Sequence, residues 1–143
     1  MAYSVKSYME KEVPTIGDTA TTTEAAKTMA DTGRGFLVVL TGGKPSGIVT
    51  EKDFVEKVIA SELDPKTLQV GQIMSSPLIT VDPDEDLLKA SELMKKHGVR
   101  RLPVVRDGII YGIITAKDIA SHCGDYVDRS VRDILRWTAP LGL

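Results

Sequence analysis

Gly47-Ile48-Val49-Thr50-Glu51-Lys52-Asp53 recurs as Gly112-Ile113-Ile114-Thr115-Ala116-Lys117-Asp118, 65 positions further on. The register holds in both directions without a gap. Val5 falls on Val70, Met9 on Met74, Thr15 on Thr80, Ala25 on Ala90, Met29 on Met94 and Gly33 on Gly98. Leu37 meets Leu102, Val39 meets Val104 and Gly43 meets Gly108. A match sustained over so many positions is an internal repeat, and repeats set the architecture before any local signal does. Two copies predict two related sites about a pseudo-two-fold axis. Each copy, at roughly 60 residues, would bury only a marginal core alone, so the pair is expected to fold as one unit.

The second copy carries the clearer local signals. Leu78-Ile79-Thr80-Val81 is a short apolar run that reads as a strand. Asp82-Pro83-Asp84 predicts a turn and helix N-cap, with Glu85 and Asp86 as a solvated acidic first turn. Leu87, Leu88, Ala90, Ser91, Leu93 and Met94 line one helical face, and Gly98 supplies a left-handed stop. Leu102 to Val105 and Ile109 to Thr115 read as a hairpin around Asp107-Gly108. Ala116 to Cys123 starts a second helix, with Thr115 as its N-cap. The first copy follows the same plan. Thr15-Ile16 is a weak strand, Asp18 to Asp31 a helix stopped by Gly33, Phe36 to Leu40 and Ile48-Val49 a hairpin, and Glu51 to Ser61 the second helix. The expected division is residues 4–62 for the first repeat, 63–69 for a linker, 70–124 for the second repeat and 125–143 for a tail. Val127, Val131, Ile134 and Leu135 give that tail the spacing of a short amphipathic helix.

Composition excludes several classes. The net charge is −2, so no general basic field draws the chain to nucleic acid. No run of 18 apolar residues offers a membrane span, and residues 1–12 lack the apolar core of a signal peptide. The single cysteine, Cys123, rules out an intrachain disulfide and a cysteine-based zinc cluster. The expected location is the cytoplasm.

The apolar run before Thr80-Val81-Asp82-Pro83, then Gly98-Val99-Arg100-Arg101-Leu102-Pro103-Val104-Val105, then Gly-Ile-Ile-Thr-x-x-Asp, resembles the CBS domain. Two copies in tandem resemble a Bateman module, over residues 4–122. The first copy departs, with Val38 in place of the hairpin proline and Gly35 where Arg100 stands. The resemblance implies a mixed α/β (α+β) fold of two β-α-β-β-α repeats, with sheets packed face to face and a cleft on either side. It implies a sensor of AMP, ADP, ATP or a related adenosyl ligand such as S-adenosylmethionine. It also implies a homodimer arranged as a four-repeat disc, signalling to an effector protein that the sequence does not identify.

Within that resemblance the candidate ligand residues fall into three groups. Asp118 and Asp53 suit a ribose, since one carboxylate can accept from both hydroxyls. The plain alternative is that each Thr-x-x-Asp is a helix cap, and one threonine can serve both ends. Thr115, Thr50, Arg100, Arg101, Arg34, Lys117 and His97 are candidates for phosphate or ribose. Guanidinium groups fit phosphate oxygens, although adjacent strand residues face opposite ways, so only one of Arg100 and Arg101 is expected to enter a site. Lys117 reads equally well as a solvated helix lysine, and His97 as a complement to the helix dipole. Ile79, Thr80, Val99, Pro14 and Thr15 are the candidates for holding adenine, with a plain core role for Val99 as the alternative. The second copy has the fuller basic set and is expected to be the better site. His122 and Cys123 face different ways and lack further metal ligands, so no metal is expected. No paired nucleophile and base and no Walker-type loop are present, so catalysis is not expected. A scaffold with empty clefts is the main rival reading. Nucleic-acid binding through Arg100, Arg101, Arg129, Arg132 and Arg136 is a weaker one, given the acidic balance.

Overall fold

The segment that opens each repeat builds into the other repeat's hydrophobic core. The computed structural model describes residues 3–122 and 136, and within them the chain forms two compact units. One is Val13–Leu78; the other joins the residues up to Glu12 with those from Ile79 onward. Val70 and Ile73 are buried with Ala25, Met29, Leu37, Val39, Val49 and Val58. Val5 is buried with Val81, Leu87, Met94, Leu102, Val104, Ile114 and Ile119. Complete burial of one such valine contributes about 1.5–3 kcal/mol, a large share of what a small unit can hold.

The docking bonds match through the 65-residue register. Val5 N–H donates to Glu85 O at 2.7 Å, and Val70 N–H to Ala20 O at 2.8 Å. Lys6 N–H donates to Pro83 O at 3.0 Å, and Gly71 N–H to Asp18 O at 2.9 Å. Both segments open with a 3₁₀ turn, Val5–Ser7 and Val70–Gln72.

In the Val13–Leu78 unit the sheet order is β1 (Thr15–Gly17), β2 (Phe36–Thr41), β3 (Lys44–Thr50). β1 runs parallel to β2, and β2 antiparallel to β3. Phe36 to Val39 are all buried, as a central strand covered on both faces requires. Helix α1 (Thr22–Thr32) starts at Thr21, whose hydroxyl accepts the Glu24 N–H at 3.1 Å while the Glu24 carboxylate accepts the Thr21 N–H at 3.3 Å. That box, rather than Asp18, sets the start and shortens the expected helix. After β3, α2 (Glu51–Asp53) runs on as a π-helical turn, Phe54–Ile59, with Ala60 N–H bonded to Val55 O at 2.9 Å.

The other unit has α3 (Leu87–His97), the hairpin β4 (Arg101–Arg106) and β5 (Ile109–Thr115), and α4 (Ala116–His122). Asp86 caps α3 by accepting Lys89 N–H at 2.8 Å, and Gly98 ends it at φ 64°. The expected cap at Asp82-Pro83-Asp84 is therefore displaced, because Asp86 stands at the register of Thr21. Asp107 and Gly108 take positive φ, 51° and 76°, as a tight hairpin turn demands. Cys123 and the expected tail helix lie outside the described residues.

The expected strand at Leu78–Val81 is reduced to one parallel bridge, Val81 with Val104. The reason is two prolines. In the first repeat, Val38 N–H donates to Pro14 O at 3.0 Å and Asp18 N–H to Leu40 O at 2.9 Å. The register partners of Val38 and Asp18 are Pro103 and Pro83, which have no N–H to give. Only the central bonds survive, Val81 N–H to Pro103 O at 3.1 Å and Val105 N–H to Val81 O at 3.0 Å. The weaker strand signal, Thr15-Ile16, makes the longer ladder.

Close approach explains the glycine that opens each repeated motif. Glu10 pairs with Ile113 of β5, and Ser75 with Ile48 of β3. A Cβ on Gly112 would stand 2.5 Å from Glu10 O and 2.7 Å from Met9 Sδ; on Gly47, 2.7 Å from Ser75 O and 2.6 Å from Met74 Sδ. Gly112→Ala is expected to destabilise the protein by about 1–3 kcal/mol in urea unfolding, since a backbone oxygen cannot swing aside. An unchanged midpoint would contradict this packing.

Arg106 ties the turn after Val81 to β4. Its Nε and one terminal nitrogen reach both oxygens of Asp82, at 3.0 and 2.6 Å, and it also pairs with Asp84. Lys6 meets Asp84 at 2.7 Å. Hydrogen bonds from Lys6 and then Arg106 hold the Asp84 carboxyl well below the usual range, at about 2. A depressed carboxylate stabilises the fold above its unfolded value, about 3.9, and that gain is lost as pH falls through the folded value. The unfolding-midpoint gap between wild type and Arg106→Met is therefore expected to shrink from pH 6 to about pH 2, and also in 1 M salt. A gap constant with pH would mean that the arginine acts by packing alone.

Candidate functional site

Each repeat carries its Thr-x-x-Asp pair at the junction where the last hairpin strand enters the following helix. At the β5–α4 junction the two ends of Thr115-Ala116-Lys117-Asp118 bond reciprocally. Asp118 Oδ2 accepts Thr115 N–H at 3.0 Å, and Thr115 Oγ accepts Asp118 N–H at 3.0 Å. This is a helix cap of the kind that contributes about 1 kcal/mol. It also fixes the carboxylate, and leaves Asp118 Oδ1 and the Thr115 hydroxyl proton outside the cap. Asp118 is half-buried.

The cationic residues gather at the same end of the hairpin. Arg100 O accepts Ala116 N–H at 2.9 Å, and Arg101 is the cross-strand partner of Thr115. Arg100 is exposed and Arg101 half-buried. Ile79 and Val99 both pack, half-buried, against the same apolar cluster. Thr80 lies between Ile79 and the Val81 bridge. His97 and Lys117 are exposed, at the end of α3 and the start of α4.

At the β3–α2 junction the same motif keeps the threonine N–H to aspartate bond and adds others. Asp53 is 8% exposed. Its Oδ2 accepts the Thr50 N–H at 2.8 Å and the Thr50 hydroxyl at 3.3 Å, and its Oδ1 lies 3.0 Å from Lys57 Nζ. Lys57 also donates to Ile73 O at 2.8 Å. Nothing in the motif itself points to Lys57; the signal lies in the register, where its counterpart is His122. The Arg34 guanidinium stands 5.1 Å over the ring of Phe36, the cross-strand partner of Thr50. Thr15 pairs with Val38, and Pro14 O accepts the Val38 N–H.

Among the described residues no group of three or more His, Cys, Asp or Glu side chains could hold a metal ion, and no helix is long and apolar enough to cross a membrane.

A duplicated α+β unit with a Thr-x-x-Asp cap closing each hairpin defines a two-repeat class of fold. The CBS domain matches residues 5–60 and 70–125, and the chain belongs to the CBS-domain family. Proteins of this family are regulatory modules and often bind adenosine ligands. An uncharacterized protein of Methanopyrus kandleri is 39% identical over 118 residues, covering 81% of this chain; the chain spans 60% of that relative's length. The crystal structure of hypoxic response protein I with two coordinated zinc ions matches with a TM-score of 0.76 and 31% identity, over 83% of this chain and 98% of that one. A hexameric CBS-CP12 protein from bloom-forming cyanobacteria matches with a TM-score of 0.77 and 30% identity, over 96% and 82%.

Proposed function

We propose that this protein is a regulatory module that binds an adenosine nucleotide, AMP, ADP or ATP, and passes the bound state to a partner protein or through self-association. The observation that carries the reading is the Asp118 carboxylate. It is fixed by its cap, half-buried, and has one oxygen that the cap does not use. A ribose diol is a neutral pair of donors that such an oxygen accepts. Thr115 can donate its hydroxyl proton while still accepting from the helix. Arg100 and Arg101 stand at the same hairpin end, where phosphate oxygens favour a guanidinium. A sulfonium in place of phosphate would favour acidic or apolar surroundings, so the basic pair supports a nucleotide over S-adenosylmethionine. Ile79 and Val99 are half-buried and apolar, the character that a flat base favours.

Signalling follows if the ligand binds two arrangements unequally, because only differential affinity shifts an equilibrium. Phosphate charge beside Arg100 would change the electrostatics of that hairpin end and is the natural source of the difference. Self-association is supported by the hexameric relative, and a homodimer is the simplest assembly.

Asp118→Asn keeps an oxygen to accept the Thr115 N–H but removes the charge; Asp118→Ala removes both. By isothermal titration calorimetry both variants are expected to bind the preferred nucleotide more than tenfold more weakly, with Asp118→Ala the weaker. Circular dichroism should show an unchanged fold. Wild-type affinity in a folded Asp118→Ala would contradict the ribose role.

A further inference from the structure

The two repeats share one motif, yet one pair of positions treats its carboxylate in opposite ways. Lys57 is the register counterpart of His122, and Ile73 that of Tyr8. In the first repeat Lys57 Nζ bridges Asp53 Oδ1 at 3.0 Å and Ile73 O at 2.8 Å. With Thr50 on Oδ2, both oxygens of a buried carboxylate are taken. In the second repeat the same two positions hold rings. Tyr8 and His122 pack against each other, centroids 5.5 Å apart and tilted by 51°. Among the described residues no cation is paired with Asp118.

Two further differences fall on the same side. The Pro14 carbonyl is committed to the Val38 N–H, whereas Pro103 has no N–H to offer Ile79. The Glu51 carboxylate lies over Gly35, its Oε1 2.9 Å from where a Cβ would stand. The second repeat has Ala116 and Arg100 at those positions. Where a nucleotide needs a ribose acceptor and a backbone carbonyl, the first repeat presents a neutralised carboxylate and a committed carbonyl, and its Arg34 guanidinium stands over the Phe36 ring with the Glu51 carboxylate nearby at Gly35. A ribose hydroxyl cannot replace the ammonium on Asp53 on equal terms. Charge-assisted bonds are about twice as strong as neutral ones, and removing one partner leaves a buried charge unpaired.

We infer that Lys57 closes the first repeat, so that each chain binds one nucleotide, at the second repeat. This rests on the nucleotide reading above. The first repeat is then a fixed strut, in which Lys57 joins the π-helical turn to the Ile73 segment, and only the second repeat responds to ligand.

The test is calorimetric titration with AMP, and separately with ATP, of wild type, Asp118→Ala, Lys57→Met and His122→Lys, each checked by circular dichroism. Wild type is expected to bind one nucleotide per chain, and Asp118→Ala to lose it. His122→Lys places an ammonium four residues after Asp118, as Lys57 stands after Asp53, and is expected to weaken binding at least tenfold. Lys57→Met is expected to keep the first site and gain a second, weaker one. Because Lys57→Met leaves Asp53 unpaired and can unfold the repeat, His122→Lys decides the matter if it does. Two sites in the wild type, a single site that survives Asp118→Ala, or wild-type affinity in folded His122→Lys would each overturn the inference. Two wild-type sites would overturn it alone; no binding of either nucleotide by wild type would remove the nucleotide reading with it.

Discussion

Backbone contact between the opening segment of one repeat and the last hairpin strand of the other is the constraint on which the structure depends. Glu10 lies so close to β5, and Ser75 to β3, that no side chain fits on Gly112 or Gly47. The same segments place Val5 and Val70 in the two cores and anchor the turns before α1 and α3. Neither 65-residue copy is complete by itself, because each core includes a valine encoded in the other copy. The duplication and the exchange are one feature, and close packing leaves little room for either segment to shift.

Against that common frame the differences between repeats carry the chemistry. Two prolines, Pro83 and Pro103, strip the bonds on either side of the Val81 bridge, where Asp18 and Val38 keep theirs. Lys57 fills the space beside Asp53, while His122 turns to the Tyr8 ring. Each change is a single residue in the 65-residue register, and between them one carboxylate is paired with an ammonium while the other is not. In the proposed reading, two repeats of one sequence pattern make an asymmetric sensor.

Much of the fold was legible because periodic and punctuating residues act locally. The register of the two Gly-Ile motifs, the stops at Gly33 and Gly98 and the hairpin at Asp107-Gly108 all appear where their local chemistry puts them. Helix starts were less legible. Asp82 and Asp84 look like caps, but their oxygens are taken by Arg106 and Lys6, and Asp86 does the capping. The Leu78–Val81 strand was misread because its loss depends on a proline in the facing strand. In the site, Thr-x-x-Asp could be located from sequence, but not its state. The bonds that separate Asp53 from Asp118 come from Lys57 and from the carbonyl of Ile73, and a backbone carbonyl leaves no mark in a sequence.

The most direct test of the asymmetric sensor is a nitrogen-15 amide spectrum recorded during titration with AMP and with ATP. The account predicts that shifts concentrate at Ile79, Thr80 and Thr115 to Asp118, while the amides of Thr50 to Asp53 stay in place. Equal or larger shifts at Thr50 to Asp53 would contradict it.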